Sequence, residues 1–365
     1  MKKIFVICTL LPLLLQAQEQ FLFIGTYTNT SSEGIYVYKF NTATAETKFT
    51  STVKASNPSF ITVSANQKFV YAVNENNPGT VSAFSFHKNS GTLALINTVE
   101  TKGAHPCYIS IDKKAKHIVV GNYSGGNLSV FDVGPNGSLG EAKQTIQHNG
   151  NSVNRQRQDK AHVHATVYSP DYKFLFVPDL GMDKLMIYKV DGKTGTLTVA
   201  DPDYEDTNPG SGPRHLVFHP IGNFLYLLEE LTGRVSIYKY NDGKITLVQN
   251  ISTHPLAYTG AKGSADIHVS PNGKFLYCSN RGEANSIAIF SINKETGMLT
   301  TVGIQPALGL HPRNFTIDPS GNFLLVANRD SDEVVIFKIN QITGLLTDTE
   351  QRIKVPRPVC LKWVK

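Results

Sequence analysis

Seven short runs of large apolar residues, each ending in polar ones, punctuate the chain. They are FLFIGTY from Phe21, FVYAVNE from Phe69, HIVVGNY from His117, FLFVPDL from Phe174, FLYLLEE from Phe224, FLYCSNR from Phe275 and FLLVANR from Phe323. Their starts lie 48, 48, 57, 50, 51 and 48 residues apart, a period typical of repeat architectures. Before most of them stands a second apolar run introduced by Pro or a small residue: NPSFITVS, HPCYISID, HVHATVYS, GPRHLVFH, SADIHVSP and HPRNFTID. The link between the two is a turn such as SPDYK, HPIGN, SPNGK or DPSGN, rich in the residues tight turns require. A third run follows each polar end (GIYVYKF, GRVSIYKY, DEVVIFKI), and a recurring SGTL, TGTL or TGLL turn leads into a fourth. No helical periodicity appears. Four strands per repeat of roughly fifty residues is one propeller blade, so the pattern predicts an all-β, seven-bladed β-propeller of four-stranded antiparallel blades.

The ends of the chain predict how the ring closes. The first repeat has no run of the NPSFITVS type before FLFIGTY, whereas the C-terminal RPVCLKWV places Pro358 where Pro58, Pro106, Pro213 and Pro312 stand in other copies. The last strand is therefore expected to complete the first blade and hide the edges that an open array exposes.

The first two runs of each repeat form a hairpin beside the central channel. In GPRHLVFHPIGNFLYLLEE a five-residue turn, His219–Asn223, pairs Phe218 with Phe224 and sets Arg214 opposite Leu228. Glu230 then falls just beyond, opposite Gly212, so Arg214 and Glu230 meet at one end of the blade. The same end of every copy carries different polar groups. On the first strands these are Asn57, His105, His162 with His164, Arg214 with His215, Asp266, His311 with Arg313, and Arg357. On the second strands they are Tyr27, Asn74 with Glu75, Asn122 with Tyr123, Asp179, Glu229 with Glu230, Asn280 with Arg281, and Asn328 with Arg329. A ring of such groups at one mouth of a channel is where a ligand is expected.

Composition narrows the classes. By length alone 365 residues suggest about two domains; the repeat makes them one. The net charge of +6 is spread along the chain without a Lys/Arg block, which points away from nucleic acid and toward mild attraction for small anions. The start, MKKIFVICTLLPLLLQAQEQ, has a basic pair, an apolar run from Ile4 to Leu15 and a small residue at Ala17. It reads as a signal peptide over residues 1–18, too short to span a membrane, with the propeller over 19–365 and a periplasmic or secreted location. An apolar N-terminal strand in a cytoplasmic protein is the competing reading. No other segment is long and apolar enough to cross a bilayer. Cys107, Cys278 and Cys360 are odd in number and widely spaced, which favours small buried hydrophobes over a disulfide framework or a zinc site.

Several assignments stay open at this stage. HVH at 162–164 fits a metal pair on one strand face, a channel histidine that binds or catalyses, or a buried hydrogen-bonded histidine. No further ligand at short spacing completes a metal set, so no metal is expected. Arg214 with Glu230 fits a structural ion pair, but Arg281 and Arg313 add cations with few matching carboxylates, favouring an anionic substrate. Asp179 reads as a brace for its loop, with a direct chemical role as the alternative. Nucleophile elbow, Walker, Rossmann, H-E-x-x-H and C-x-x-C motifs are all absent, so neither a covalent nucleophile nor a nucleotide cofactor is indicated, and no cofactor is expected.

GPRHLVFHPIGNFLYLLEE, VHATVYSPDYKFLFVPDLGMDKLMIYKVD and ADIHVSPNGKFLYCSNRGEANSIAIF resemble the seven-bladed lactonase family, which groups propeller-type 6-phosphogluconolactonases with carboxymuconate-lactonizing enzymes. The resemblance runs from about Phe21 to Trp363. It implies a catalytic set of His164 (with His162 as competitor), Arg214, Glu230 and Arg281, with Glu230 preferred to Glu229 by strand facing. His162, His215, Asp179, Asp266, Asn280, His311 and Arg313 are the candidate substrate-binding residues. The expected activity is metal-independent hydrolysis of a sugar or other anionic small-molecule lactone. A non-catalytic propeller binding a glycan or protein at the same mouth, and a cycloisomerase-type lyase acting on a dicarboxylate, are the alternatives. The oligomeric state is left open.

Overall fold

The computed structural model describes residues 19–364; the expected signal peptide, residues 1–18, lies outside them. Among the described residues 28 strands form seven four-stranded antiparallel sheets arranged as the blades of a ring. The only helical element among them is the short 3₁₀ turn Arg329–Ser331. Blade one is built from Glu19–Thr26, Gly34–Asn41 and Thr47–Lys54, with Pro358–Val364 as its innermost strand. That strand pairs Trp363 with Leu22 and Leu361 with Ile24, closing the ring as the sequence predicts.

Burial explains why the second strand of each repeat is the most legible. Phe224–Glu229 and Phe275–Asn280 are buried along their whole length, because neighbouring blades cover both faces of each sheet. The outermost strands are wetter and alternate, as in Leu139–Gln147. The core lies between blades: Phe40 and Trp363 of blade one pack on Phe323 and Leu325 of blade seven. The recurring TGxL turn belongs to the same packing. Gly297 has φ +70°, and a Cβ there would stand 2.4 Å from the Phe224 ring of the preceding blade. Only glycine provides both the left-handed turn and the room for that ring.

The register near the channel mouth differs from the simple hairpin. Phe218 pairs with Leu225 and His215 with Leu228, one residue away from the expected pairing. The register then shifts between Pro213 and His215, so that Pro213 meets Glu229 and the Glu230 amide donates to Gly212 O at 2.7 Å. Arg214 occupies a β-bulge. Bulges recur at Cys107 in blade three, at Ala265 and Asp266 in blade six and at Arg313 in blade seven. In blades three, five and seven a residue of positive φ and a proline precede the bulged position: His105–Pro106, Gly212–Pro213 and His311–Pro312. A bulge re-aims its side chain. In blade four the expected strand through HVH is reduced to Val167–Tyr168, with an isolated bridge from Val163 to Asp179.

Candidate active site

At the mouth reached by these bulges lies a cavity of about 180 Å³, lined by Glu75, Cys107, Tyr123, Arg157, His164, Glu230, Arg281 and Arg313. Glu230, just past the second strand of blade five, is its hub. Arg214 Nε–H donates to Glu230 Oε2 at 2.9 Å, and Arg281 NH2 lies 2.9 Å from the same oxygen. Arg157 NH2 donates to Oε1 at 2.6 Å, and His164 Nε2 stands 3.9 Å from Oε2. Burial by itself would raise the acid constant of Glu230. The guanidinium groups of Arg281 and Arg214, with that of Arg157, outweigh it and hold the carboxyl well below its ordinary value of 4.5. Glu230 is therefore a fixed anion at neutral pH.

Arg214 is only 1 % exposed and is pinned along its length. Its NH1 donates to Ala265 O and to His215 Nε2, the latter at 3.0 Å. Because Nε2 of His215 accepts, its proton sits on Nδ1 and is donated to Asp266 Oδ1 at 2.8 Å. Burial, followed by the charge of Arg214, lowers His215 to about 4, consistent with a neutral ring. The chain Asp266–His215–Arg214–Glu230 thus fixes the guanidinium that orients the carboxylate.

His164 is buried and neutral as well: burial first, then Arg214 and His215, push it well below 6.5. Cys107 Sγ lies 3.7 Å from His164 Nδ1 and 3.5 Å from His164 O. Burial raises the Cys107 thiol to about 12, so it keeps its proton. With that proton on the backbone carbonyl, the sulfur accepts from Nδ1–H and leaves the Nε2 lone pair facing Glu230 and the cavity. Across the cavity, Arg313 NH2 lies 3.7 Å from Glu75 Oε2, and Tyr27 Oη–H donates to the same carboxylate at 2.9 Å. Four guanidinium groups thus meet two carboxylates around this pocket, leaving positive charge in excess.

The chain matches the family model described as "Lactonase, 7-bladed beta-propeller" over residues 21–363. It belongs to that family. It is 39% identical over 341 residues to a protein of Formosa agariphila named 6-phosphogluconolactonase, covering 92% of this chain and 96% of that one. A Bacillus subtilis protein of the same name is 34% identical over 348 residues, covering 94% and 97%. Among solved structures, a putative 6-phosphogluconolactonase from Bacteroides fragilis superposes with TM-score 0.91 at 43% identity, covering 95% of this chain and 98% of that one. The periplasmic gluconolactonase of Pseudomonas aeruginosa superposes with TM-score 0.92 at 36% identity, covering 95% and 99%.

In this lactonase-family chain Arg214 and Arg281 hold Glu230 and His164 stands 3.9 Å from the same carboxylate, while Arg313 joins them on the cavity wall. The remaining candidates are placed differently. His162 stacks on Tyr123 with centroids 4.4 Å apart and points Nδ1 at Tyr123 O, holding the wall rather than lining the pocket. Asp179 is fully buried and saturated by His148 Nδ1 and by the amides of His162, Gly181 and Met182, which explains the interrupted strand beside it. Asn280 is consumed by Thr253, Ser264 and Ser286 inside blade six. His215 and Asp266 lie beneath the mouth and border a separate cavity of about 420 Å³. His311 faces Arg329 and Asp330 on the rim, and burial followed by Arg281 lowers it to about 3.

Four lining residues stood outside the candidate site set: Glu75 and Tyr123, placed by the sequence among the polar strand ends at the mouth, Cys107, read as a small buried hydrophobe, and Arg157. Arg157 sits on the connection between the outer strand of blade three and blade four. Its signal was the 57-residue spacing, longer than any other repeat, because surplus length in a propeller goes to a loop. All three described cysteines are buried and free. No helix among the described residues is long and apolar enough to cross a membrane.

Proposed function

We propose that the chain hydrolyses a sugar lactone in the mouth cavity, as a 6-phosphogluconolactonase-like enzyme using its own side chains alone. The observation that carries this reading is the neutral His164 imidazole, its Nε2 3.9 Å from an anionic Glu230 clamped by Arg214 and Arg281. Of the two candidate bases, Glu230 is disabled by its three guanidinium partners, so His164 Nε2 takes the proton. Water adds to the lactone carbonyl carbon as its proton passes to His164. The oxyanion that forms meets the guanidinium groups of Arg281 and Arg313. Collapse then breaks the ring C–O bond, and His164 returns the proton to the departing alkoxide, giving the open hydroxy acid. General base catalysis of this kind contributes about 10²- to 10⁴-fold. The imidazolium formed on the way lies beside Glu230, an attraction of about 4 kcal/mol at an effective dielectric constant near 20.

A pH-stat panel of sugar lactones and muconates, run beside a no-enzyme control, tests the reading. Expected is faster acid release from a sugar lactone, unaffected by a metal chelator. Binding without turnover would point to a non-catalytic propeller, and conversion of a muconate alone to a lyase. Export rests on the basic pair and apolar run of residues 1–18, and on the likeness to a structure described as a periplasmic gluconolactonase. Removal of residues 1–18 takes Cys8 with it, so the exported protein should titrate three thiols in denaturant and the unprocessed chain four.

A further inference from the structure

Of the guanidinium groups around Glu230 and Glu75, Arg157 is the reachable one. Its side chain is 44% exposed, against 1% for Arg214, 12% for Arg281 and 15% for Arg313. The backbone beneath it is pinned. The Arg157 amide donates to Asn154 O, Gln158 Nε2 donates to Leu180 O and Asp183 Oδ1, and Ser152 Oγ bonds Asp183 Oδ2. A fixed base thus carries a long arm whose tip touches only Glu230 Oε1 at 2.6 Å and, more distantly, Tyr123 Oη at 3.5 Å. The arm lies over the anion at the centre of the pocket while Arg214 and Arg281 hold the other carboxylate oxygen.

We infer that Arg157 is the specificity arm of this mouth: its guanidinium leaves Glu230 Oε1 for an anionic group, of phosphate or carboxylate type, that the substrate carries away from its reacting carbonyl. Docking of the charged substrate then uncovers Glu230 and tells a charged lactone from a neutral one of the same ring. The inference rests on the hydrolase reading above, and it adds a coupling. The groups facing Glu230 are Arg157 from the long loop, Arg214 from blade five, Arg281 from blade six and His164 from blade four, with Tyr123, Cys107, Glu75 and Arg313 completing the wall. Drawing one cation off Glu230, and bringing an anion into a site with excess positive charge, raises the proton affinity of both Glu230 and His164. The charged substrate thereby strengthens the base that takes the proton of the attacking water. The excess charge and the exposed arm point to the same ligand class independently, since a salt bridge serving stability alone gains nothing from unmatched cations.

The test compares glucono-δ-lactone with its 6-phosphate on the full propeller, as wild type, Arg157→Gln and Arg157→Lys. The expected result is a fall of roughly 10- to 100-fold in the kcat/KM preference for the phosphorylated lactone in Arg157→Gln, the value of one charge-assisted contact. Arg157→Lys should recover part of that preference. The acid limb of the neutral-lactone pH profile should move to higher pH in Arg157→Gln, because one cation has left Glu230; a purely structural salt bridge would not link that shift to a change in preference. An unchanged preference, or equal losses on both lactones with the limb unmoved, overturns the inference. Calorimetric titration with 6-phosphogluconate gives a readout that does not depend on turnover. Tighter binding to wild type than to Arg157→Gln supports the arm, and equal binding overturns it. If the wild type hydrolyses neither lactone, the hydrolase reading fails, and the calorimetric comparison still decides the role of Arg157.

Discussion

Replacing Glu230 by Gln removes one charge and almost no volume, so it separates electrostatics from shape. Two consequences follow from the geometry. Arg214 and Arg281, nearly buried, lose the anion that both contact at 2.9 Å. Breaking a buried ion pair by removing one partner costs about 3–5 kcal/mol, a large share of a typical stability of about 5–15 kcal/mol. The variant should therefore fold in the cold but show a clearly lower urea midpoint. The catalytic consequence is independent of folding. The imidazolium of His164 loses the attraction of about 4 kcal/mol worked above, an upper bound because solvent reaches the cavity. At 1.36 kcal/mol per decade, kcat should fall by about 10²- to 10³-fold. Since Glu230 raises the proton affinity of His164, its loss should also move the acid limb of kcat to lower pH. The assay is pH-stat hydrolysis at saturating lactone and 10 °C, corrected for spontaneous opening, with the folded fraction measured in the same buffer. A kcat within tenfold of wild type in fully folded protein, or an acid limb displaced to higher pH, refutes the assignment of His164 and Glu230 as an interacting pair.

Two further outcomes test the framework that holds the site. His215 is neutral in the fold and titrates near 4, whereas in the unfolded chain it takes up a proton near 6.5. Its contribution is complete above pH 6.5 and is lost as pH falls toward 4, roughly 3 kcal/mol in all; His254 and His311, also lowered, add the same sign. Urea midpoints should decline from pH 7 to 4.5, less steeply in His215→Gln, and a flat profile contradicts the buried neutral imidazoles. Deleting residues 358–365 strips Trp363 from Phe40 and Leu361 from Ile24 and leaves the inner edge of Glu19–Thr26 unpaired. Cooperative thermal unfolding by circular dichroism should disappear, and its survival would show that the ring does not need this closing strand.

The fold was legible because each blade repeats the same burial problem. Phe224, Phe275 and Phe323 begin second strands that are covered on both faces, and their turn glycines recur because the aromatic ring of the preceding blade leaves no room for a Cβ. Physical constraint and sequence period coincide there. The mouth is different. The pairing expected for Phe218 with Phe224 slipped by one at the turn, where the His219 amide donates to Phe224 O and the loop is four residues rather than five; the bulge at Arg214 is a separate feature, and nothing in residue type distinguishes a bulged arginine from a paired one. Proline after a left-handed residue was the available cue, shared by His105–Pro106, Gly212–Pro213 and His311–Pro312. Asp179 and Asn280 looked like mouth residues by position, yet each is saturated by local donors or acceptors that only the folded loops bring together.

The bulges also explain how a repetitive framework comes to hold a site without repeated function. A strand that stays in register must alternate its side chains between the two covered faces, where Arg, Glu and His are costly. At Cys107, Arg214 and Arg313 the extra residue leaves that alternation just before the strand ends, and each of the three reaches the mouth cavity or the carboxylate at its centre. The blade below keeps its apolar packing, so the cost of a buried guanidinium is met by Glu230, His215 and Asp266 rather than by the core. Divergence among the copies is thus concentrated at the mouth, in the bulged residues of the inner strands, the ends of the second strands and the loops above them. Arg157 extends the same logic, since the long connection after blade three brings its cation to Glu230 from outside the strands.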